Sequence, residues 1–209
     1  MAYIFMDESW DLWFEDIGTI NSTYFIITFL LTENKKEPEL IMKKFYKWIH
    51  GKGKIIKWSF FHASKESLTS IKKILQMIAW RNVYIASIII QKDTLSQKDK
   101  TNIHSLYNTL TGILLSECEK RGYLKSHDYH YFIASRRETN QNLKEQFIND
   151  IKWYCSPFLN INISIELPQK EKWLEVVDVC SHALFKKIEN ADEELYSLIQ
   201  NKVLLEIFK

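Results

Sequence analysis

Five segments of the chain have the pattern of hydrophobic and polar positions that is typical of β-strands. They span residues 3–8, 23–32, 83–91, 128–134 and 159–166. The second and third are near-continuous apolar runs, which are typical of central strands covered on both faces. Within the last segment, residues 160–165 alternate strictly between polar and apolar, which predicts an edge or half-exposed strand.

Six further segments have the apolar spacing of helices. They span residues 38–50, 64–81, 102–121, 140–155, 171–189 and 192–207. Ser64 is expected to cap the second of these helices, ahead of an apolar stripe that begins at Leu68. Gly122 is placed to end the third. Because helices alternate with strands from residue 64 onward, the sequence predicts an α/β fold with a mixed or parallel sheet.

The composition fits one folded domain. The 209 residues are 46% hydrophobic and 14% aromatic, which is enough apolar surface to form a core and excludes a disordered chain. No linker, repeat or low-complexity tract interrupts the chain, so a single domain over 1–209 is expected. Cys118, Cys155 and Cys180 are widely spaced and fit neither a disulfide framework nor a zinc site.

Charge and hydropathy limit the partners and the location that the sequence predicts. The net charge is +2, so any surface that binds phosphate has to be local. The chain has no run of about 18 apolar residues and no cleavable leader pattern, so we expect no membrane association and a cytoplasmic location.

An acidic cluster, Asp7-Glu8-Ser9-x-Asp11, follows the first predicted strand. Far downstream, Asp178 lies in an otherwise apolar helical segment. A buried carboxylate without a partner is unfavourable, so such a group usually has a cation, a donor or a raised pKa. One strand aspartate and one helix aspartate suggest a carboxylate–metal site. The alternative is that Asp7 caps a turn and Asp178 pairs with a nearby lysine or backbone donor.

The helix that carries Asp178 has a polar face. Glu171, Glu175, Asp178 and His182 are spaced by four, three and four residues, so they lie on one side. Glu175 and His182 could extend a metal site or tune Asp178. The simpler interpretation is a polar stripe in which His182 is hydrogen-bonded to Asp178.

Two motifs resemble the family called domain of unknown function 3800. The opening strand followed by Asp7-Glu8-Ser9 is similar to that family's strand followed by Asp-Glu-Ser-Gly-Asp. The sequence Leu-Glu-Val-Val-Asp at 174–178 resembles its Leu-Gln-x-Ala-Asp helix. The resemblance follows the order of elements along the whole chain, but its specificity rests on these two motifs. It implies a ribonuclease-H-like fold, with a central mixed β-sheet flanked by helices.

The same resemblance implies a divalent-metal-dependent, nuclease-like site that acts on nucleic-acid phosphodiesters. Asp7, Asp178 and Glu8 would be its catalytic carboxylates. Asp7 and Asp178 would bind Mg²⁺ or Mn²⁺, with Asp11 and Glu175 as auxiliary ligands. The metal would activate water and stabilise the charge that develops on phosphate.

Four positions depart from the family pattern. Trp10 and Trp13 stand where the family has glycine, and these indoles could fill the cleft, stack on bases or pack against a partner. Ile55 and Ala134 stand where the family has acids, whereas a two-metal site generally has three or four carboxylates. The alternative function is therefore a catalytically inactive binding or regulatory module, of the kind found in mobile-element or phage-defence systems.

A set of residues around the acidic cluster is predicted to bind the substrate. The set consists of Ser9, Lys57, Arg136, Arg137, Trp10 and Trp13. Paired arginines at the end of a strand can bind phosphate with two donors, although a solvated turn explains them equally well. Nucleic acid is thus the predicted partner. A homodimer formed through exposed aromatic residues is a further possibility.

Overall fold

The computed structural model describes residues 2–9, 22–51, 61–125, 128–135 and 140–209. In these ranges the strands form a six-stranded sheet with the order β5-β4-β1-β2-β3-β6. The strands are β1 (Ala2–Ser9), β2 (Tyr24–Thr32), β3 (Tyr84–Gln91), β4 (Tyr129–Ser135), β5 (Asn160–Glu166) and β6 (Val203–Phe208).

The sheet is mixed, as the sequence predicts. β1 is antiparallel to β2, and β2 is antiparallel to β3. β4 is parallel to β1, β5 is parallel to β4, and β6 is parallel to β3. The apolar runs form the interior strands β2 and β3, and the alternating segment forms the edge strand β5, so both predictions are confirmed.

The described residues also form helices that flank the sheet. They are α1 (Lys36–Gly51), α2 (Leu68–Ala79), α3 (Gln97–Thr101), α4 (Ile103–Lys120), α5 (Gln141–Tyr154) and α6 (Lys172–Asn190). Ser64 does not cap α2, because residues Ala63–Lys65 form a separate 3₁₀ turn. Ser67 is the cap, and its hydroxyl accepts the backbone N–H of Ser70.

The prediction of a helix over residues 192–207 is wrong. The chain there forms two 3₁₀ turns, Tyr196–Leu198 and Gln200–Lys202, and then β6. β6 covers the edge of β3, so backbone pairing outweighs the local helical spacing. Glu206 of β6 accepts hydrogen bonds from Lys187 of α6 and from Tyr196. These contacts hold the end of the chain against the last helix.

Two apolar cores lie on opposite faces of the sheet. α1, α2 and α6 cover one face, where Phe5 stacks on Trp173 with ring centroids 4.4 Å apart. α4 and α5 cover the other face, which receives Ile4 and Met6. Because side chains alternate along a strand, Asp7 continues the Phe5 face beneath α6, and Glu8 continues the face of α4.

In the part of the chain that the structure describes, no helix is both long enough and apolar enough to cross a membrane.

Candidate carboxylate site

Asp7 lies near the end of β1, between two neighbouring strands. It is the cross-strand partner of Thr28 on β2, and the parallel register of β4 places Ser135 beside it. The Ser135 hydroxyl donates a hydrogen bond to its carboxylate. Burial raises the pKa of Asp7 well above its usual range, and the charges of Asp178 and Glu8 raise it further. The ionised form of Asp7 is therefore unfavourable unless a positive charge compensates it.

Asp178 reaches the same place from α6. Its Oδ2 atom accepts the backbone N–H of Ala63 at 2.7 Å and lies 3.2 Å from Nδ1 of His62. The hydrogen bond with Asp178 raises the pKa of His62. The segment before α2 thus supplies His62 to Asp178 in place of the partner predicted from the sequence, His182. Burial instead lowers the pKa of His182.

One cavity joins the two aspartates. Its volume is about 330 Å³, and Asp7, Glu8 and Asp178 all line it. The rest of its wall is formed by Phe61, His62, Ser135, Leu167, Pro168, Gln169 and Leu174. Acids from opposite ends of the chain thus open onto one space at the end of β1.

Glu8 is held from the opposite face of the sheet. The hydroxyl of Tyr107, on α4, donates to Oε2 of Glu8 across 3.2 Å. Glu8 is partly exposed where it borders the cavity. The bond to Tyr107 therefore fixes a third carboxylate at the cavity without burying it.

Glu175 has a different environment. Its side chain is fully buried, and its two oxygens accept hydrogen bonds from Tyr46 at 2.5 Å and from Lys172 at 2.6 Å. Burial raises the pKa of its carboxyl, and the hydrogen bonds from Lys172, Tyr46 and the Phe61 backbone oppose that rise. Glu175 does not line the cavity around Asp7. Through its hydrogen bonds with Tyr46 and with the Phe61 backbone, Glu175 connects α1 and the segment before α2 to α6.

Ser9, predicted to bind substrate, makes an internal contact. Its hydroxyl donates to Oγ of Ser181 on α6 at 2.7 Å, and Thr28 donates to the same oxygen at 3.1 Å. Three residues of this region, Ser135, Ser181 and His62, were missed at the level of sequence. Ser135 directly precedes the predicted arginines, but it was not assigned a role, and a single histidine such as His62 gives no signal of its own.

Several predicted residues lie outside the described ranges. They are Asp11, Trp10, Trp13, Lys57, Arg136, Arg137 and Ile55. Ala134 is described, and it pairs with Met6 on the face opposite Asp7, where it is 2% exposed. The position at which the resemblance predicts an acid therefore points into the core under α4 and α5.

The oxygen atoms of Asp7, Asp178 and Glu8 are suitable donors for a hard divalent cation such as Mg²⁺ or Mn²⁺. Burial, together with the charges of Asp178 and Glu8, raises the pKa of Asp7, and a bound cation would favour its ionised form. Within the described ranges, no group of three or more His, Cys, Asp or Glu side chains is arranged to hold a metal ion. The donor chemistry of the two aspartates therefore suits such a cation, but a complete ligand set is not present among the described residues.

Comparison with solved structures identifies the fold. The ribonuclease H2 from Pyrococcus horikoshii OT3 superposes with a TM-score of 0.53 and 11% identity, over 96% of this chain and 76% of that one. The fold is ribonuclease-H-like. A chain of the PCNA:RNase HII complex from Archaeoglobus fulgidus is also similar, with a TM-score of 0.47 and 9% identity over 96% of this chain and 78% of that one.

The ribonuclease-H-like fold confirms the fold class predicted from the sequence. No family model and no curated protein sequence matches the chain. The resemblance to the domain of unknown function 3800 family therefore stays a prediction.

Proposed function

We propose that this protein is a divalent-metal-dependent, nuclease-like hydrolase that acts on nucleic-acid phosphodiesters. The observation that carries the proposal is the meeting of Asp7 and Asp178 in one cavity at the end of β1. Their proximity is sufficient for the charge of Asp178 to raise the pKa of Asp7. The fold shared with a protein named ribonuclease H2 supports the same class of substrate.

In this proposal Asp7 and Asp178 hold Mg²⁺ or Mn²⁺, and Glu8 assists. Bound there, the cation would lower the pKa of a water molecule and neutralise charge on the phosphate. Asp11 would add a further ligand, and Glu175 would support the site through α6. Ser9, Lys57, Arg136, Arg137, Trp10 and Trp13 would contact the nucleic acid, as the sequence predicts.

The protein's own groups prepare the site before any cation binds. Ser135 donates to Asp7, and Tyr107 donates to Glu8, so both carboxylates keep one orientation. The Ala63 backbone N–H and His62 do the same for Asp178. Groups that orient metal ligands in this way usually affect metal affinity strongly.

The test is manganese binding by calorimetry on the wild type and on Asp7→Asn and Asp178→Asn. We expect binding by the wild type that either substitution removes. Asp93→Asn, which removes one charge at an exposed position, is the matched control and should bind normally. A nuclease assay on DNA, RNA and hybrid duplexes then identifies the substrate. Cleavage that survives in Asp7→Asn would refute the proposal.

A second candidate is a binding or regulatory module without catalysis. It is favoured by the register of β4, which places Ser135 rather than a carboxylate beside Asp7. It predicts that the wild type binds no manganese, and that Trp10→Ala weakens binding to nucleic acid or to a protein partner. A homodimer and a cytoplasmic location remain predictions, the first of which sedimentation at several concentrations would test.

A further inference from the structure

Ser181 connects α6 to the two strands that carry the candidate site. Its Oγ atom accepts one hydrogen bond from Ser9 of β1, at 2.7 Å, and another from Thr28 of β2, at 3.1 Å. Ser181 and Thr28 are both fully buried. Buried hydrogen bonds of this kind are not exchanged easily for bonds to water, so they fix the position of the helix.

Ser181 and its hydrogen-bond partners lie next to the two aspartates of the candidate site. Thr28 is the cross-strand partner of Asp7, and Ser9 lies two residues after Asp7 on the same face of β1. Ser181 follows Asp178 by three residues, so it lies about one helical turn farther along the same side of α6. Ser181 therefore lies next to Asp178 on α6, and it is hydrogen-bonded to the residues that lie next to Asp7 on β1 and β2.

We propose that Ser181 is a positioning residue that sets the separation of the Asp7 and Asp178 carboxylates. This inference deepens the function proposed above and rests on it for its consequence in metal binding. Removal of the hydroxyl frees α6 to move relative to β1 and β2. The part of α6 that carries Asp178 then tilts away from Asp7, while the stacking of Phe5 on Trp173 holds the first turn of the helix in place.

The chain provides a closely matched control in Ser87. This serine is on β3, is the cross-strand partner of Thr28 and is fully buried, like Ser181. Its hydroxyl has no hydrogen-bond partner among the residues that the structure describes. Ser87→Ala thus removes a buried hydroxyl from the same row of the sheet without breaking a hydrogen bond to α6.

The experiment measures two quantities in Ser181→Ala, Ser87→Ala and the wild type. The first is manganese affinity by calorimetry, which we expect to weaken by about 10- to 100-fold in Ser181→Ala, as it does when groups that orient metal ligands are removed. The second needs no metal. It is the exchange rate of the Ala63 amide hydrogen, which is bonded to Asp178 and should exchange faster in Ser181→Ala. Ser87→Ala should change neither quantity.

A second pair of variants tests the same hydrogen bonds if Ser181→Ala does not fold. Thr28→Val removes one donor to Ser181 with little change in volume, and should shift both quantities in the same direction. Thr28→Ser keeps the hydroxyl and should leave both the manganese affinity and the Ala63 exchange rate near their wild-type values. Unchanged manganese affinity and unchanged Ala63 exchange in Ser181→Ala would overturn the inference, as would equal changes in Ser87→Ala.

The two measurements separate this inference from the proposed function. If the wild type binds no manganese, the proposed function fails. The exchange rate of Ala63 then decides by itself whether Ser181 positions Asp178.

Discussion

Asp178 Oδ2 and His62 Nδ1 lie 3.2 Å apart at the rim of the cavity that also contains Asp7. The hydrogen bond raises the pKa of His62, so the folded state holds the imidazole proton more tightly than the unfolded chain does. The resulting stabilisation is fully present below the unfolded pKa, about 6.5. It is lost as the pH rises through the higher pKa of the folded state.

We therefore expect His62→Gln to lower the melting temperature at about pH 5.5 and to change it less at about pH 9. The measurement is thermal unfolding of both proteins across this range. An NMR titration provides the control, because the pKa of His62 should fall in Asp178→Asn. The pKa of His182, which burial lowers, should stay below the usual value in the wild type. A His62 pKa at or below the ordinary histidine value would contradict the prediction.

Asp7→Asn should raise the stability of the metal-free protein at neutral pH. Burial and the charges of Asp178 and Glu8 raise the pKa of Asp7, so the folded state binds a proton more readily than the unfolded chain. Stability then falls as the pH rises from the ordinary aspartate value through the raised one. Asparagine removes this loss, and a gain of about 1 kcal/mol would shift the melting temperature by about 2–4 °C.

The gain in Asp7→Asn should disappear in acid, where Asp7 is protonated in both states. Thermal unfolding in a chelating buffer, at neutral and at acid pH, measures it. Asp93→Asn, at an exposed position, should show no such gain. Equal stability of wild type and Asp7→Asn at neutral pH would contradict the prediction, because it would mean that the ionised Asp7 carboxylate does not destabilise the folded state.

Tyr46→Phe should destabilise the fold without removing any side chain that lines the cavity around Asp7 and Asp178. The substitution removes the hydroxyl that donates to the fully buried Glu175. A buried acceptor that loses its donor typically costs about 1–3 kcal/mol. Urea denaturation measures the free energy of unfolding, with the exposed Tyr129→Phe as the control.

Manganese calorimetry on Glu175→Gln shows whether Glu175 is a metal ligand or a structural residue that supports α6. Because both oxygens of Glu175 accept protein donors, we expect metal binding to persist in this variant while stability falls. A complete loss of binding, equal to that in Asp7→Asn, would instead make Glu175 a ligand, as the sequence suggested.

The sequence predicts a pairing of Asp7 and Asp178 because Asp7 follows an apolar strand and Asp178 lies in an otherwise apolar helix, where a buried carboxylate without a partner is unfavourable. It does not predict His62, which belongs to no motif and reaches Asp178 only through the path of the chain before α2. The same limit explains β6. Its strand conformation depends on the open edge of β3, which local spacing does not reveal.

The register of β4 explains what an added acid would do at two adjacent positions. Ser135 lies beside Asp7 and lines the cavity, whereas Ala134 points into the core on the opposite face. Ser135→Asp should therefore add a carboxylate to the cavity and strengthen manganese binding. It should also reduce the stability of the metal-free protein, because like charges accumulate around Asp7.

Ala134→Asp provides the comparison at the position where the resemblance predicts an acid. Its carboxylate would be buried among apolar side chains, at a position that is 2% exposed, so we expect loss of stability without tighter metal binding. Calorimetry and thermal unfolding on the two variants decide the matter. Tighter binding in Ala134→Asp than in Ser135→Asp would show that residue 134, rather than residue 135, faces the metal. That result would require a different alignment of β4 with β1.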